Sequence, residues 1–455
     1  MTVTMEPNAH ATPDVGEMPP GTDQLRRTIR IRGGVPLRGE VTIGGAKNAA
    51  LPALAATLLT GDDCVLNNVP DLADITIMVA LLRALGAEVE HDRARKRVRV
   101  RAATITSRSA PPELVARMRA SFLVAGPLLA RCGEMEASTP GGCKLGARPV
   151  DVDVRGFRQM GATIDFTEQR VTATTAGLRG ADLYMDYPSH TGTENLLMAA
   201  TLASGKTTIV HAACEPEIVF LGEMLNRMGA RIDGLGSPTI TVHGVDRLHG
   251  VTEAILPDRL EAGTFAIGAV ITGGEVTLRN VREPDMLPLT AKLKEAGAEV
   301  WSDGESMLVR PGSTLRAVEI QTLSFPGFPT DLQAAFAVLM TQAHGLSKIH
   351  ERVFEDRLRY IDELCAMGAD IWVEKYRTEH DGPMKYGTRA EITGPTPLRG
   401  AAVRCLDIRA GAGVVLAGLV ADGETAVSDV HHLDRGYEDL EAKLQSLGAR
   451  VSESA

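Results

Sequence analysis

Aromatic side chains are scarce in this 455-residue chain, at 4% of the total with 2 tryptophans. Ring-stacking platforms for single-stranded nucleic acid are therefore not expected. Positive charge is also in deficit, with 48 Lys and Arg against 58 Asp and Glu and a net charge of −10. That balance argues against nucleic acid and anionic membranes as partners. It leaves room for an anionic substrate, because a local group of cations overrides the global sign. No apolar run approaches the roughly 18 residues of a membrane span. Residues 1–25 are rich in Pro, Thr, Gly and Asp; they lack the basic start and apolar core of a signal peptide and read as a disordered tail.

Other signatures are missing as well. Cys64, Cys132, Cys143, Cys214, Cys365 and Cys405 are scattered and form no CxxC pair, so reduced thiols in a cytoplasmic protein are the simpler reading. The 11 histidines form no HxxxH or Cys/His cluster, and no metal site is expected. There is no GxGxxG followed by an acid, no GxSxG elbow and no GxxxxGK[ST] phosphate loop, so no cofactor is expected. No obligate protein partner is evident.

What is present is 44% hydrophobic and 23% charged residues in a chain long enough for two or more cores. One pattern recurs six times. A helix-like segment ends in Gly-Ala and passes into a β-branched run, at Gly86, Gly161, Gly229, Gly297, Gly368 and Gly448. Glycine after a helix is the usual left-handed cap, so each copy reads helix, cap, strand. A spacing of roughly 70 residues is too long for solenoid repeats. It suits six compact βα units, three in each of two domains. The second unit is the longest, and its extra length falls in the loop Gly141-Gly142-Cys143-Lys144-Leu145-Gly146-Ala147-Arg148. Lys144 and Arg148 would favour a thiolate at Cys143, and the glycines allow close backbone approach. The thiol is either a reactive or proton-donating group beside an anion site, or an incidental cysteine on a surface turn.

Further candidates sit where helices seem to begin. Gly44-Gly45-Ala46-Lys47-Asn48 follows a strand and opens an apolar helix, an arrangement suited to a phosphate or carboxylate or simply a helix-entry turn. Arg117 and Arg119 read as a solvated helix face or a carboxylate clamp. Asp331 follows two prolines, and is a helix cap or a general base on a rigid turn. Asp407 and Arg409, with Asp434, Arg435 and Glu438, read as salt bridges or as site residues.

In combination these segments resemble the enolpyruvyl transferases. The motifs are GAKNAALP at 45–52, MRAS at 118–121, PGGCKLGARPVD at 140–151, EPEIV at 215–219, LPDR at 256–259, FPTD at 328–331, VFEDR at 353–357 and DRGYE at 434–438. The resemblance runs from about Ile29 to Val451 and is to the branch whose acceptor is UDP-N-acetylglucosamine. It implies an α/β fold, a two-domain inside-out α/β barrel of six βαβαββ units, three per domain. The domain carrying Cys143 would span 47–255 and the second 26–46 plus 256–455, with the active site in the cleft between.

The resemblance also implies a reaction. The enolpyruvyl group of phosphoenolpyruvate moves to the 3-hydroxyl of UDP-N-acetylglucosamine with release of phosphate, the first committed step of peptidoglycan synthesis. Cys143 matches the family's proton donor and fosfomycin-reactive thiol, and Asp331 its base. Lys47, Arg119, Arg148 and Arg435 match positions around phosphoenolpyruvate. Asn48, Arg148, Pro149, Val150, Asp151, Val152, Ser189, Asp331 and Val353 match positions that hold the UDP-sugar. Arg357, Asp407 and Arg409 match further cleft residues. The chain departs from the family pattern at His190-Thr191, where a small apolar residue and glycine are usual, and at Cys214, where arginine is common. A sister transferase with another nucleotide-sugar acceptor, or a non-catalytic paralogue, are the alternatives. The shikimate branch fits less well, because its Lys-Ser start is absent.

Overall fold

The computed structural model describes residues 27–138, 150–167, 169–377 and 386–454. The expected tail over 1–25 lies outside them. The six glycine signals mark six real joints. Each cap glycine takes φ between 92° and 103°. At the first, the Gly86 N–H donates to the Arg83 carbonyl at 2.9 Å and the Ala87 N–H to Leu82 at 3.0 Å. This pair of bonds closes off helix carbonyls that would otherwise be orphaned. The same pair recurs at Gly161, Gly229, Gly368 and Gly448.

Around a joint the order is strand, helix, strand, helix, strand, strand, with the glycine after the second helix. The third unit shows it whole: Asp182–Tyr184, His190–Ala200, Lys206–Val210, Pro216–Arg227, Arg231–Asp233 and Thr239–His243. Its first strand pairs parallel to its second, and its last two form an antiparallel pair that completes a four-stranded sheet. Both helices therefore start at the C-terminal ends of the parallel strands, the end at which open α/β sheets place their ligands.

Three units obtain a strand from elsewhere in the chain. In the sixth, Thr28–Arg32 is inserted between Glu424–Ser428 and Arg450–Ser454, antiparallel to both. In the first, Thr252–Ala254 pairs parallel to Asp63–Asn67, while Arg38–Thr42 serves the fourth unit beside Glu275–Arg279.

The first helix of a unit is apolar on all sides. In Lys47–Ala56 nine of ten residues are buried, and in Gln333–Thr341 all nine are. Such helices cannot face water, and they pack inside with the sheets around them. The sheets alternate, as in Arg97–Arg101, where Val98 and Val100 point inward and arginines outward. Helices inside and sheets outside make this the inside-out α/β arrangement. One apolar core runs from Ala46 to Leu256. The other joins Ile29–Ile43 to Leu260–Val451. The chain passes from one core to the other twice, and the two crossings pair. The Ala46 N–H donates to Leu256 at 2.8 Å and the Asp258 N–H to Gly44 at 2.9 Å. A Cβ on Gly45 would fall on the Asn68 carbonyl, so only glycine fits this crossing.

Replacing Gly161 by Ala, where the added Cβ meets nothing within 4 Å, isolates the backbone cost of its φ of +92°. The expected loss is about 1–2 kcal/mol, read as a lower urea midpoint with unchanged slope. Gly86→Ala should lose more, because its Cβ also collides with Thr106.

Candidate active site

Lys47 opens its helix immediately after the first crossing, with no side-chain cap, and is 7% exposed. A buried ammonium needs a partner. Its Nζ lies 3.2 Å from Oδ2 of Asp74, in the first turn of the helix Ala73–Ala84. From the other core, Arg435 places Nε 2.8 Å from Oδ1 of the same carboxylate. Burial pushes the Asp74 carboxyl up, yet Lys47 and Arg435 together hold it below the usual carboxylate range. Two cations thus share one carboxylate at two helix starts, where unsatisfied N–H groups suit an anion. Next to it the cores meet again: the Glu438 carboxylate accepts from Lys96 at 2.6 Å and from the Asp71 N–H at 2.9 Å.

Asp331 lies in the short 3-10 turn Thr330–Leu332 and does not cap it. Instead its Oδ1 accepts from Arg357 at 2.7 Å, and its Oδ2 is 3.6 Å from Nε of Arg409. Both arginines are 5% exposed, while the Asp331 side chain is 26% exposed. The carboxylate is thus fixed from behind and reachable in front, as a general base must be. Arg409 also stacks over the Tyr437 ring at 5.1 Å, and the Tyr437 hydroxyl lies 2.9 Å from that of Thr264.

A third group lies beside Val150. Arg119 opens the 3-10 segment Arg119–Val124 directly after an extended Met118 (φ −146°, ψ 122°). This corrects the reading of Arg119 as part of a solvated helix face: the extended backbone turns it inward, and burial lowers its guanidinium pKa. Burial pushes Asp153 up to about 6. Asn195 holds it, with Nδ2 2.8 Å from Oδ1, and Asn195 Oδ1 accepts the Gly126 N–H at 2.9 Å. Arg119, Val150, Asp153, Thr191 and Asn195 line one cleft.

The remaining candidates divide. Asp407 caps the helix Ile408–Val420, its Oδ1 accepting from the N–H groups of Arg409 and Ala410 at 2.8 and 3.0 Å. Ser189 caps His190–Ala200 by accepting from the Gly192 N–H at 3.1 Å. Val152 is 2% exposed and lies in the core. Asp151 is exposed in the first turn of its helix, and Asn48 is half-buried. Val353 is 36% exposed, with its N–H donated to Glu351 at 2.7 Å. Cys143, Arg148 and Pro149 lie outside the described residues. Sequence reasoning missed Asp74 and gave Glu217 and Arg259 no role beyond membership of the motifs at 215–219 and 256–259. Arg259 and Glu217 form a two-point bridge between the cores, at 3.0 and 3.3 Å. The available signal for Asp74 was an acid opening a helix that is otherwise almost wholly apolar. Among the described residues, no group of three or more His, Cys, Asp or Glu could hold a metal, and no helix is long and apolar enough to cross a membrane.

Two cores of repeated α/β units, with cations gathered at helix starts where they meet, define a class. The family model for EPSP synthase (3-phosphoshikimate 1-carboxyvinyltransferase) matches residues 31–444, and the chain belongs to this family of enolpyruvyl transferases. Within it, the chain is 49% identical to the UDP-N-acetylglucosamine 1-carboxyvinyltransferase 2 of Carboxydothermus hydrogenoformans, over 92% of this chain and 98% of that one. It is 44% identical to the UDP-N-acetylglucosamine 1-carboxyvinyltransferase of Finegoldia magna, over 93% and 98%. Among solved structures, the enolpyruvyl transferase NikO from Streptomyces tendae superposes with a TM-score of 0.84 at 25% identity, over 94% of this chain and 99% of that one.

Asp74→Ala would leave Lys47 and Arg435 buried without their shared counter-ion. The expected loss of stability is about 3–5 kcal/mol, measured by chemical denaturation at neutral pH. Because the folded pKa of Asp74 is depressed, its contribution is present above pH 3.8 and is lost as pH falls through the folded value. The wild type should therefore lose stability on acidification below pH 3.8 in part through a component that Asp74→Ala lacks.

Proposed function

We propose that this enzyme transfers the enolpyruvyl group from phosphoenolpyruvate to the 3-hydroxyl of UDP-N-acetylglucosamine, opening peptidoglycan synthesis in the cytoplasm. The observation that carries the reading is the pairing of Lys47 and Arg435 from different cores on Asp74, with Asp331 fixed by Arg357 and Arg409. The names of the relatives described above support the choice of acceptor. The working units are 47–255 and 26–46 with 256–455, and the substrates lie between them.

Phosphoenolpyruvate carries a phosphate and a carboxylate. Lys47, Arg119, Arg148 and Arg435 would bind them by charge-assisted hydrogen bonds. Asn48, the run Arg148 to Val152, Ser189 and Val353 would hold the UDP-sugar, with Arg357, Asp407 and Arg409 shaping the cleft. Addition begins when Cys143 gives its proton to the methylene carbon and the sugar O3 bonds to the adjacent carbon. Asp331 takes the hydroxyl proton. The tetrahedral intermediate then loses a proton from the new methyl group and expels phosphate, which restores the double bond on the sugar. Closing the two cores over this site would exclude water from the intermediate. Thr191 in the Arg119 cleft is the observation that keeps another nucleotide-sugar acceptor as a second reading.

The test is phosphate release from phosphoenolpyruvate across a panel of nucleotide sugars, with product mass. Release that requires UDP-N-acetylglucosamine, with a product heavier by one enolpyruvyl group, is expected. Release only with another acceptor would move the enzyme to a sister reaction, and silence across the panel would overturn the activity. Asp331→Asn should lower kcat about 10²–10⁴-fold. Cys143→Ala should abolish turnover at neutral pH and labelling by fosfomycin; labelling that persists would remove Cys143 from its role.

A further inference from the structure

His190 is the first residue of the helix His190–Ala200, directly after the Ser189 cap. A positive charge there opposes the helix dipole, so an imidazolium needs strong compensation. The surroundings supply it. Nδ1 lies 3.4 Å from Oε1 of Glu194 on the same helix, and Nε2 lies 4.0 Å from Oε2 of Glu217 on the helix Pro216–Arg227. A neutral imidazole can donate from one nitrogen, whereas an imidazolium donates from both. Both carboxylates are 1% exposed, and Glu194 Oε1 has no hydrogen-bond partner.

The cluster extends across the interface. Glu215, 8% exposed, accepts the Phe325 N–H from the other core at 3.3 Å. Arg259, also from that core, forks onto Glu217 and stacks over the Phe325 ring at 5.6 Å. Asp285, which also acts on Glu217, lies 3.5 Å from Arg282. Apart from that pair, Glu194, Glu215 and Glu217 face one guanidinium when His190 is neutral. The bridge between the cores therefore depends on a carboxylate that its own neighbours repel.

We propose that His190 is a positioning residue that holds a proton between Glu194 and Glu217, keeps Glu217 directed at Arg259, and makes docking of the two cores weaken as pH rises. The carboxylates raise the imidazole well above 6.5 against the cost of burial. Burial pushes Glu194 up as well, with the imidazolium opposing it. The sign follows from linkage. A raised folded pKa gives stability that is complete below the unfolded value of 6.5 and is lost as pH rises through the folded value.

Two measurements on the unliganded full chain test this. NMR of the His190 ring should give a titration midpoint above 6.5. Hydrogen exchange at the start of the helix Arg259–Ile271 should show protection that falls as pH rises through that midpoint, after correction for intrinsic exchange. In His190→Gln, protection should be lower at pH 6.5 and show no such step. A midpoint at or below 6.5 would overturn the proposal even if the variant failed to fold. So would a step of the same size in His190→Gln.

Discussion

Asp74 is the constraint on which the meeting of the two cores depends. Its carboxylate is buried, and it is charged because Lys47 and Arg435 reach it from different cores. None of the three is stable alone at that depth, since an unpaired buried charge costs far more than a surface one. Arg435 therefore crosses to a carboxylate that Lys47 already pairs within its own core. Lys47 and Arg435, the cations proposed to bind phosphoenolpyruvate, thus also belong to the contact between the cores.

The repeat explains why these groups converge. In units with a parallel strand pair, the helices begin at the ends of those strands, so chemistry placed in first turns collects at one end of a core. Lys47, Asp74, Glu217 and Arg259 all occupy such positions. Helix starts carry unsatisfied N–H groups and partial positive charge. Asp407 and Ser189 answer that need as caps, whereas Asp331 leaves its turn uncapped and goes to two arginines. The same residue types thus cap helices at two places and pair with buried arginines at a third, and only geometry separates them.

The six units were legible because a Gly-Ala cap is a local event: its φ and its two hydrogen bonds lie within six residues. Asp331 was legible as a carboxylate on a rigid turn, though only its partners show that it does not cap that turn. Asp74 was not legible, because its partners lie 27 and 361 residues away in sequence. Arg259 and Glu217 escaped for the same reason, at a separation of 42. For Arg119 the residues alone left a wetted helix face and a carboxylate clamp both open, because the extended Met118 before it has no sequence signature. The strand borrowed by the sixth unit was equally hidden, since nothing in Thr28–Arg32 says that its neighbours lie at the far end of the chain.

That borrowed strand fixes an order of events during synthesis. The first core is contiguous, from Ala46 to Leu256, and can close while the ribosome is still making the rest. Thr28–Arg32 emerges earliest but must wait with both edges unpaired until Glu424–Ser428 and Arg450–Ser454 have left the tunnel. Over that interval an apolar-alternating strand is free to pair with the wrong chain. Its arginines at Arg30 and Arg32 guard it meanwhile, and in the finished sheet both reach Glu424, at 2.8 and 3.0 Å. The second core therefore closes after the first, once Arg450–Ser454 has been made.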